Sequence, residues 1–521
     1  MFQMKIIVLF VVLLMFSTLN FAQNTNKLIG NTNNPEEPAI CINSKNPAII
    51  MAAANINNLY LSNDTGKTWN HVIMQSNYNV WGDPCIISDT AGDFYFFHLS
   101  NPVNGNWIDR IVCQKYKTSI NTWVLDTFIG LNGQKAQDKE WAVVDPATNT
   151  IYITWTQFDE YDSHNPLDSS VILFSKSTDA GFSWSTPVRI NKKAGDCIDS
   201  DSTVEGAVPA VGPNGEVYVA WVGEDGIMFD RSLDGGNTWL RHDIFVSSVP
   251  GGWDYSIPGI SRCNGLPVLI CDLSTGPNRG TLYINWSDQR NDTTDTDIWL
   301  VKSTNGGLSW SAPIRVNNDL SYRQQFLTWM TIDKSTGYLY FIFYDRRNHT
   351  DNQTDVFLAV SKDGGNTFEN YKISESAFSP NENIFFGDYT NISVENGIIR
   401  PIWTRLHNNQ LSVYTDLVDL VYLSDKPNQI TQENIVSNVF PNPSSDEIGF
   451  SFKLKKEDVA SLYIYDSNGK MVACVFENKN MPADMYIEKI KISKYNLSPG
   501  QYYFSLQTAG NQNRSRKFLI K

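Results

Sequence analysis

The chain has 521 residues with a formal net charge of −14, and 12% of its residues are aromatic. This acidic balance argues against nucleic acid as a partner and disfavours binding to anionic membranes. The length accommodates one large and one small domain, and short alternating segments between glycine-containing turns predict an all-β protein.

The first 22 residues have the features of a secretory signal peptide. Lys5 precedes an apolar run, and small residues follow it up to Ala22. This order predicts cleavage after Ala22. Elsewhere no segment reaches about 18 consecutive apolar residues, so we expect no transmembrane segment in the mature chain.

A short sequence motif, Ser-x-Asp-x-Gly-x-Thr-Trp, recurs along the chain. Its Asp can accept hydrogen bonds from nearby backbone N–H groups, and its Gly can adopt the left-handed conformation that a tight turn requires. We expect the closing aromatic residue to begin the next strand and to be buried. The predicted structural residues are Asp64, Asp179, Asp234, Asn305 and Asp363, with Trp69, Trp184, Trp239, Trp310 and Phe368.

The motif recurs at intervals that suggest a repeat of about 55 residues, and residues 117–123 form a degenerate copy. A second kind of segment, rich in Tyr and Trp and preceded by a turn, occurs once per repeat. These patterns predict four-stranded blades of a β-propeller over residues 23–423, with seven blades and a six-bladed alternative. The second-strand segments are residues 48–56, 92–100, 149–157, 215–223, 280–288, 337–345 and 396–404.

The repeated motif resembles the Asp-box, or BNR, repeat of the bacterial sialidase superfamily. The resemblance extends over residues 35–423 and implies a sialidase-like β-propeller, for which six blades is the family's number. It implies much less about activity, because Asp-boxes in that superfamily lie away from the active site.

Acidic residues lie where the predicted first strands begin. Asp83, Asp138, Glu205 and Asp388 are in this position, and two of them follow a glycine. Since first strands line the channel of a propeller, these carboxylates are expected to converge. They could then act as acid and base, bind a cation, or cap the strands.

Arginines follow the predicted second strands. Arg290, Arg346, Arg347 and Arg405 lie there, the first three within two residues of an aspartate. One hypothesis is a cationic ring that binds an acidic glycan. The alternative is ion pairs that connect one blade to its neighbour.

The sialidase resemblance implies an arginine cluster, a tyrosine nucleophile assisted by a glutamate, and an aspartate acid. Tyr389 and Glu205 could take the tyrosine and glutamate roles by position. The family's Arg-Ile-Pro motif is absent from the opening blade, where the chain has no arginine before Arg110. Orthodox sialidase catalysis is therefore not expected.

Two acidic loops are candidate Ca²⁺ sites, residues 197–202 and the loop that carries Asp292, Asp295 and Asp297. Neither has the twelve-residue loop pattern, so solvated loops are the alternative and no cofactor is expected to be required. The seven cysteines have no CxxC spacing; we predict mostly buried free thiols, and Cys263 with Cys271 is the closest potential pair.

After residue 423 the composition changes. Residues 424–435 form a polar linker, and residues 436–521 have short alternating segments that predict a small β-sandwich. This tail resembles the C-terminal sorting domain of the type IX secretion system of Bacteroidetes. The matching motifs are Pro441-Asn442-Pro443, the turn over residues 466–470, the segment over residues 497–502 and the basic final strand.

The tail resemblance implies the type IX secretion machinery as a partner and a secreted or outer-membrane cell-surface location. For the propeller we predict binding of a glycan or a surface protein without orthodox sialidase catalysis. A sialidase-like glycoside hydrolase with an altered site is the alternative, and a structural scaffold is the second.

Overall fold

The computed structural model describes residues 26–419, 435–440, 443–454, 457–467, 469–482, 485–508 and 513–521. The chain divides into two compact units, Met1–Gln429 and Ile430–Lys521. The predicted signal peptide and residues 424–434 of the predicted linker lie outside the described residues. The part of the chain that the structure describes contains no helix of the length and apolarity needed to cross a bilayer.

Within residues 26–419, seven four-stranded antiparallel sheets follow one another along the chain. We number them sheet 1 to sheet 7 and their strands from first to fourth. Sheet 1 contains Ala39–Ile42, Ile50–Ala54, Asn58–Ser62 and Asn70–Ile73. Sheet 2 contains Cys85–Ser88, Phe94–Leu99, Ile111–Lys117 and Thr122–Ile129. Sheet 3 contains Ala136–Val144, Ile151–Phe158, Ser170–Ser177 and Val188–Arg189.

The remaining sheets have the same order of strands. Sheet 4 contains Glu205–Val211, Val217–Gly223, Gly226–Ser232 and Ile244–Ser247. Sheet 5 contains Val268–Cys271, Leu282–Asp292, Asp295–Ser303 and Ile314–Arg315. Sheet 6 contains Gln325–Ile332, Leu339–Asp345, Asp355–Ser361 and Glu369–Lys372, and sheet 7 contains Asn391–Glu395, Ile398–His407, Gln410–Asp416 and, from the start of the chain, Asn26–Gly30.

Four short elements lie outside this scheme. Val418–Asp419 pairs with the second strand of sheet 7. Asp254–Tyr255 and Cys263–Asn264 form a two-stranded ladder between sheets 4 and 5, and Thr118–Ile120 is a single 3-10 turn.

The first strand of each sheet contacts the first strands of the two neighbouring sheets, and sheet 7 contacts sheet 1 in the same way. The sheets therefore form a closed ring around a central channel. Asn26–Gly30 completes sheet 7 by pairing with Gln410–Asp416, so that the start of the propeller is hydrogen-bonded to its end. The prediction of an all-β propeller is confirmed.

The core lies between adjacent sheets. The second strands of sheets 4 and 6, Val217–Gly223 and Leu339–Asp345, are buried at every position. Strands covered on both faces are expected to be continuously apolar, which explains the weak alternation in these segments. Large aromatic side chains fill corresponding places in four second strands: Trp155, Trp221, Trp286 and Trp403.

The repeated motifs form the predicted turns between third and fourth strands. In the first copy, Asp64 Oδ1 accepts hydrogen bonds from the backbone nitrogens of Lys67 at 3.0 Å and Thr68 at 2.9 Å. The Thr68 hydroxyl donates to Asp64 Oδ2 at 2.7 Å. These bonds, the Thr68 hydroxyl first, lower the pKa of Asp64 to about 2. Gly66 has the left-handed φ of 84° that the sequence predicted.

The closing aromatic residues of these turns are half-buried. Trp239 packs edge-on against Phe174 of the preceding sheet at 4.9 Å, and Trp310 packs against Phe229 of its preceding sheet at 5.2 Å. Each ring therefore covers the outer seam between two sheets, where one side of it remains in contact with solvent.

All seven cysteines are free, and five of them are buried. Cys263 and Cys271, the closest potential pair, are not joined. Burial raises the pKa of Cys271 to about 12, so its thiol is protonated at neutral pH.

The second unit has two antiparallel sheets. The strands of one are Ile435–Phe440, Glu447–Lys453 and Met485–Lys491. The other contains, in spatial order, Met471–Met481, Asp458–Asp466, Gly500–Thr508 and Asn513–Ile520, and a 3-10 turn spans Ile492–Tyr495. Phe450 from the first sheet packs against Phe504 and Phe518 from the second, at 4.6 and 5.7 Å, as expected for a β-sandwich core.

Replacing Trp239 by Ala should destabilise the propeller, because the seam between sheets 3 and 4 loses its covering ring. Since Trp239 is only half-buried, we expect a loss of about 3 kcal/mol in the free energy of unfolding, the lower end for a buried aromatic residue. Chemical denaturation followed by Trp fluorescence would measure it. Leu233→Ala, on the same turn but 64% exposed, is the control that should change little.

Candidate functional site

The starts of the first strands bring charged side chains together at one end of the central channel, which we call the channel mouth. Glu37 precedes the first strand of sheet 1, Asp83 that of sheet 2 and Asp388 that of sheet 7, while Lys139 lies within the first strand of sheet 3. In an antiparallel sheet, the end of the second strand lies at this same end and the Asp-box turn lies at the opposite end.

The Lys139 ammonium lies among three carboxylates. Its Nζ is 2.8 Å from Asp388 Oδ2, 3.3 Å from Asp83 Oδ2 and 3.8 Å from Glu37 Oε1. All four side chains are at most 8% exposed. We call these four residues the lysine cluster.

Arg262 connects the lysine cluster to the solvent. Its guanidinium donates to both carboxylate oxygens of Asp388, with Nε 2.9 Å from Oδ1, and to Asp199 Oδ2 at 2.9 Å. The Tyr161 hydroxyl donates to the same Asp199 oxygen at 2.7 Å. With 37% of its side chain exposed, Arg262 is the most accessible member of this network.

Unusual backbone conformations position the cluster. Asp83 and Lys139 have φ of 50° and 52°. This backbone region is strained for residues other than glycine and costs about 1–3 kcal/mol per residue. Lys139 lies in an irregularity of the strand pairing between Asp138 and Trp141, which turns its side chain into the channel. Strained residues of this kind tend to occur at functional sites.

The glycines of Gly82-Asp83 and Gly387-Asp388 are required for steric reasons. A Cβ on Gly82 would lie 2.6 Å from Asn55 Oδ1, the same atom that accepts a 2.7 Å hydrogen bond from the Asp83 nitrogen. A Cβ on Gly387 would lie 2.7 Å from the Glu37 nitrogen. Each glycine therefore allows the neighbouring sheet to approach closely enough for its aspartate to enter the cluster.

The carboxyl groups of the cluster have pKa values that are shifted in opposite directions. Burial alone would raise the pKa of Asp388, but the Lys139 ammonium and the Arg262 guanidinium outweigh it and hold the pKa well below its usual value. At Asp83, burial is likewise outweighed by Lys139 together with hydrogen bonds to Glu37 and Asp138, and the pKa is lowered. The pKa of Lys139 is raised because Asp388, Asp83 and Glu37 outweigh its own burial.

Other carboxyl groups in and around the cluster have raised pKa values. Burial, followed in effect by the neighbouring Asp83, raises the pKa of Asp138 to about 8 despite the attraction of Lys139. Burial also raises the pKa values of Glu36, Glu37, Glu140 and Glu205. Within the described residues, both carboxyl oxygens of Glu140 and Oε1 of Glu205 have no hydrogen-bond partner. The channel mouth thus has more carboxyl groups than cations, and burial favours the neutral form of those that lack a cation.

Tyr389 lies at the inner side of the cluster. Its hydroxyl is 3.3 Å from Asp83 Oδ1, and burial together with the Asp83 carboxylate raises its pKa well above the usual value. Its ring packs against Trp141 at 5.2 Å, and Trp141 packs against Trp329 at 4.3 Å. These three aromatic side chains fill the centre of the ring behind the cluster.

The structure thus brings Asp83, Asp138, Asp388 and Tyr389 together, as the positions of the strand starts suggested. Glu205 lies in electrostatic range of Asp138 and Asp199. The Tyr389 hydroxyl instead contacts Asp83.

The arginines considered for a cationic ring are bonded to other residues of the propeller. Arg290 pairs with Asp288 and lies over Trp299 at 4.5 Å, and Arg347 pairs with Asp345 at 2.6 Å. Arg405 donates to Ser376 at 2.6 Å. These contacts lie at the ends of second strands, one strand away from the channel.

Arg346 is fully buried over the Phe326 ring, with Nε 3.1 Å from the Thr354 hydroxyl. Burial lowers its pKa to about 10. It cannot contact a ligand at the surface, and the interpretation of these arginines as structural fits the structure better.

The predicted Ca²⁺ ligands are not arranged as a metal site. Asp297 is buried and accepts hydrogen bonds from Asn291, Asn317 and Arg315. Over the described ranges, no group of three or more His, Cys, Asp or Glu side chains is placed to hold a metal ion, which includes Asp292 and Asp295. The other acidic loop, residues 197–202, instead contributes Asp199 to the channel mouth.

Sequence reasoning missed Lys139, Arg262 and Glu37. Lys139 stands between two carboxylates in the segment over residues 138–145, and a lone lysine among acidic residues near a strand start was the available indication. Arg262 lies in the irregular connection between sheets 4 and 5, where no motif marks it.

Aromatic side chains extend from the cluster towards solvent. The Trp107 ring lies 5.3 Å from the Tyr161 ring and 6.1 Å from the Trp81 ring. Trp107 is 42% exposed and Trp81 is 38% exposed. Exposed aromatic rings next to hydrogen-bonding carboxylates are a common way to hold a ligand that has both apolar and polar faces.

Comparison with known protein families identifies the tail. Residues 438–521 match the family described as the secretion system C-terminal sorting domain. The second unit is a secretion sorting domain. This confirms the resemblance seen in the sequence and makes the protein a secreted or cell-surface one.

Solved structures with similar folds include three carbohydrate-active proteins. The Hadza microbial sialidase Hz136 is 14% identical, with 72% of this chain and 73% of that one covered and a TM-score of 0.42. The NanB sialidase from Streptococcus pneumoniae is 10% identical, covering 72% and 83%, with a TM-score of 0.44. An ulvan lyase from a new polysaccharide lyase family is 12% identical, covering 77% and 99%, with a TM-score of 0.46.

At these identities and scores the likeness carries no information about activity. None of the curated proteins compared with the chain matches it. The function of the propeller must therefore be argued from the channel mouth itself.

The raised pKa of Asp138 makes the stability of the propeller depend on pH. Asp138 has a pKa of about 8 in the folded chain and about 4 when unfolded, so folding binds a proton and stability falls as pH rises from about 4 to about 8. We expect a lower melting temperature at pH 8 than at pH 5. Asp138→Asn, which cannot lose a proton, should reduce this difference.

The control is Glu382→Gln, at an exposed position, which should keep the full difference. Equal melting temperatures at pH 5 and pH 8, or an unchanged difference in Asp138→Asn, would contradict the raised pKa of Asp138. The carboxylates with lowered pKa values, Asp83 and Asp388, act only below about pH 4 and do not affect this window.

Proposed function

We propose that the propeller binds a neutral glycan at the channel mouth, outside the cell, and that it does so without orthodox sialidase turnover. The observation that carries this proposal is the adjacency of the exposed Trp107 ring to the Tyr161, Asp199 and Arg262 network. A sugar presents an apolar face to an aromatic ring and hydroxyl groups to carboxylates and guanidinium groups.

The charges of the cluster support a neutral ligand rather than an acidic one. Lys139 and Arg262 are both paired with Asp388, and Lys139 also contacts Asp83 and Arg262 also contacts Asp199. Their positive charge is therefore neutralised inside the protein. A sialic acid or uronic acid carboxylate would meet a site that already has an excess of carboxyl groups.

A glycoside hydrolase remains the second candidate, because Asp83 and Asp138 have pKa values shifted in opposite directions, as in acid and base pairs. Their geometry argues against it. The two carboxyl groups are hydrogen-bonded to each other, whereas retaining and inverting glycosidases separate theirs by about 5 Å or more. The arginines also do not form a clamp: Arg262 contacts the lysine cluster, whereas Arg290, Arg347 and Arg405 are bonded to residues outside it.

Trp107→Ala should weaken glycan binding at least about tenfold, because it removes the exposed ring while leaving the buried cluster intact. A glycan array followed by calorimetry on the full-length protein would measure this. Phe182→Ala is the matched control: Phe182 is 62% exposed but lies on an Asp-box turn at the opposite end of the ring. It should bind as the parent does.

Three results would overturn the proposal in distinguishable ways. Preferential binding of acidic glycans would exclude the neutral ligand. Hydrolysis of a fluorogenic sialoside or a neutral aryl glycoside that Asp138→Asn abolishes would establish the hydrolase. Absence of any glycan bound would favour a scaffold.

Deletion of residues 436–521 should prevent the protein from leaving the periplasm, because the sorting domain is the element that the type IX machinery is proposed to recognise. Fractionation of the native host, with the full-length chain in parallel, would show the truncated propeller retained and folded. Its appearance in the medium at the normal level would contradict type IX export.

A further inference from the structure

We infer that the ligand is a chain of several neutral sugars, which runs from the channel mouth over Trp107 and Trp81 into a groove between sheets 1 and 2. This inference rests on the proposed function and adds to it the length of the ligand and a second binding region. No step of it requires catalysis.

A continuous line of contacts joins the mouth to the groove. Arg262 contacts Asp199, Asp199 contacts the Tyr161 hydroxyl, and the Tyr161 ring is followed by those of Trp107 and Trp81 at spacings of 5.3 and 6.1 Å. Both tryptophans are more than one-third exposed, although tryptophan is usually largely buried. A line of exposed rings offers repeated apolar platforms, which suits a ligand with repeating units.

The groove begins at Trp81 and has a volume of about 490 Å³. None of the residues that line it carries a charge. Four of them have side-chain amides and two, Ile56 and Ile73, are exposed aliphatic residues at 43% and 46%. The amide residues are Asn57, Gln75, Asn79 and Asn101.

Two of these amides are free to bind a ligand. Among the described residues, the side chains of Gln75 and Asn101 have no hydrogen-bond partner, whereas Asn79 donates to the Asn101 carbonyl at 2.8 Å and Asn57 accepts from Asn33 at 2.9 Å. An amide can both donate to and accept from a sugar hydroxyl. The groove therefore offers the same combination of apolar surface and neutral hydrogen-bonding groups as the aromatic line.

The lack of charge decides between classes of ligand. A protein partner usually meets its binding surface with some charged groups at the rim, and an acidic polysaccharide requires cations. Neither is provided by the lining of this groove. A neutral polysaccharide chain needs only aromatic or aliphatic surface and amides, and its length explains why the line of rings continues beyond the mouth.

The test compares short and long neutral sugars by calorimetry on the full-length protein. The probes are the dimers and hexamers of three series, the cello-, xylo- and malto-oligosaccharides. In the series that binds, the hexamer should bind at least about tenfold more tightly than the dimer. Gln75→Ala combined with Asn101→Ala should remove most of this advantage and leave dimer binding unchanged, which also shows that the variant is folded.

Asn237→Ala combined with Asn366→Ala is the control, because these exposed amides lie on Asp-box turns at the opposite end of the ring. It should keep the full preference for the hexamer. Equal binding of dimer and hexamer, or a preference that survives the loss of Gln75 and Asn101, would overturn the groove inference and leave the proposed function standing. Failure of all six sugars to bind would count against both.

Discussion

The buried ammonium of Lys139 is the interaction on which the channel mouth depends. It contacts carboxylates that arrive from the starts of sheets 1, 2 and 7, while its own backbone belongs to sheet 3. Removing one partner of such a pair leaves an uncompensated buried charge, which typically costs about 3–5 kcal/mol. The left-handed backbone of Asp83 and Lys139 is tolerated because this network holds both residues in place.

The same network limits what the mouth can recognise. Because Asp388 is shared by Lys139 and Arg262, the two cations are largely neutralised before a ligand arrives. The remaining recognition groups are the exposed rings of Trp107 and Trp81 and the accessible edge of the Arg262 guanidinium. The propeller fold alone does not determine the chemistry of its channel mouth, which illustrates that residues rather than folds determine function.

Local features of this chain could be predicted from its sequence, and contacts between distant segments could not. The Asp-box turns depend on bonds within about four residues, so Asp64 and Gly66 behave as predicted. The Gly82-Asp83 and Gly387-Asp388 steps indicated the mouth because their glycines have a local steric role. Lys139 and Arg262 were missed, and Arg290 and Arg347 were considered for binding, because only the register of the sheets decides which charges meet. The half-burial of Trp239 likewise depends on the neighbouring sheet.

The closure of the ring through Asn26–Gly30 has a consequence for how the protein folds. The third strand of sheet 7, Gln410–Asp416, has an open edge until that first segment pairs with it. An unpaired strand edge is a template for association with other chains. The edge of Gln410–Asp416 is therefore covered only when the first and last segments of the propeller pair. Exchange of Asn26–Gly30 between two molecules would cover the same edge and produce a strand-swapped dimer.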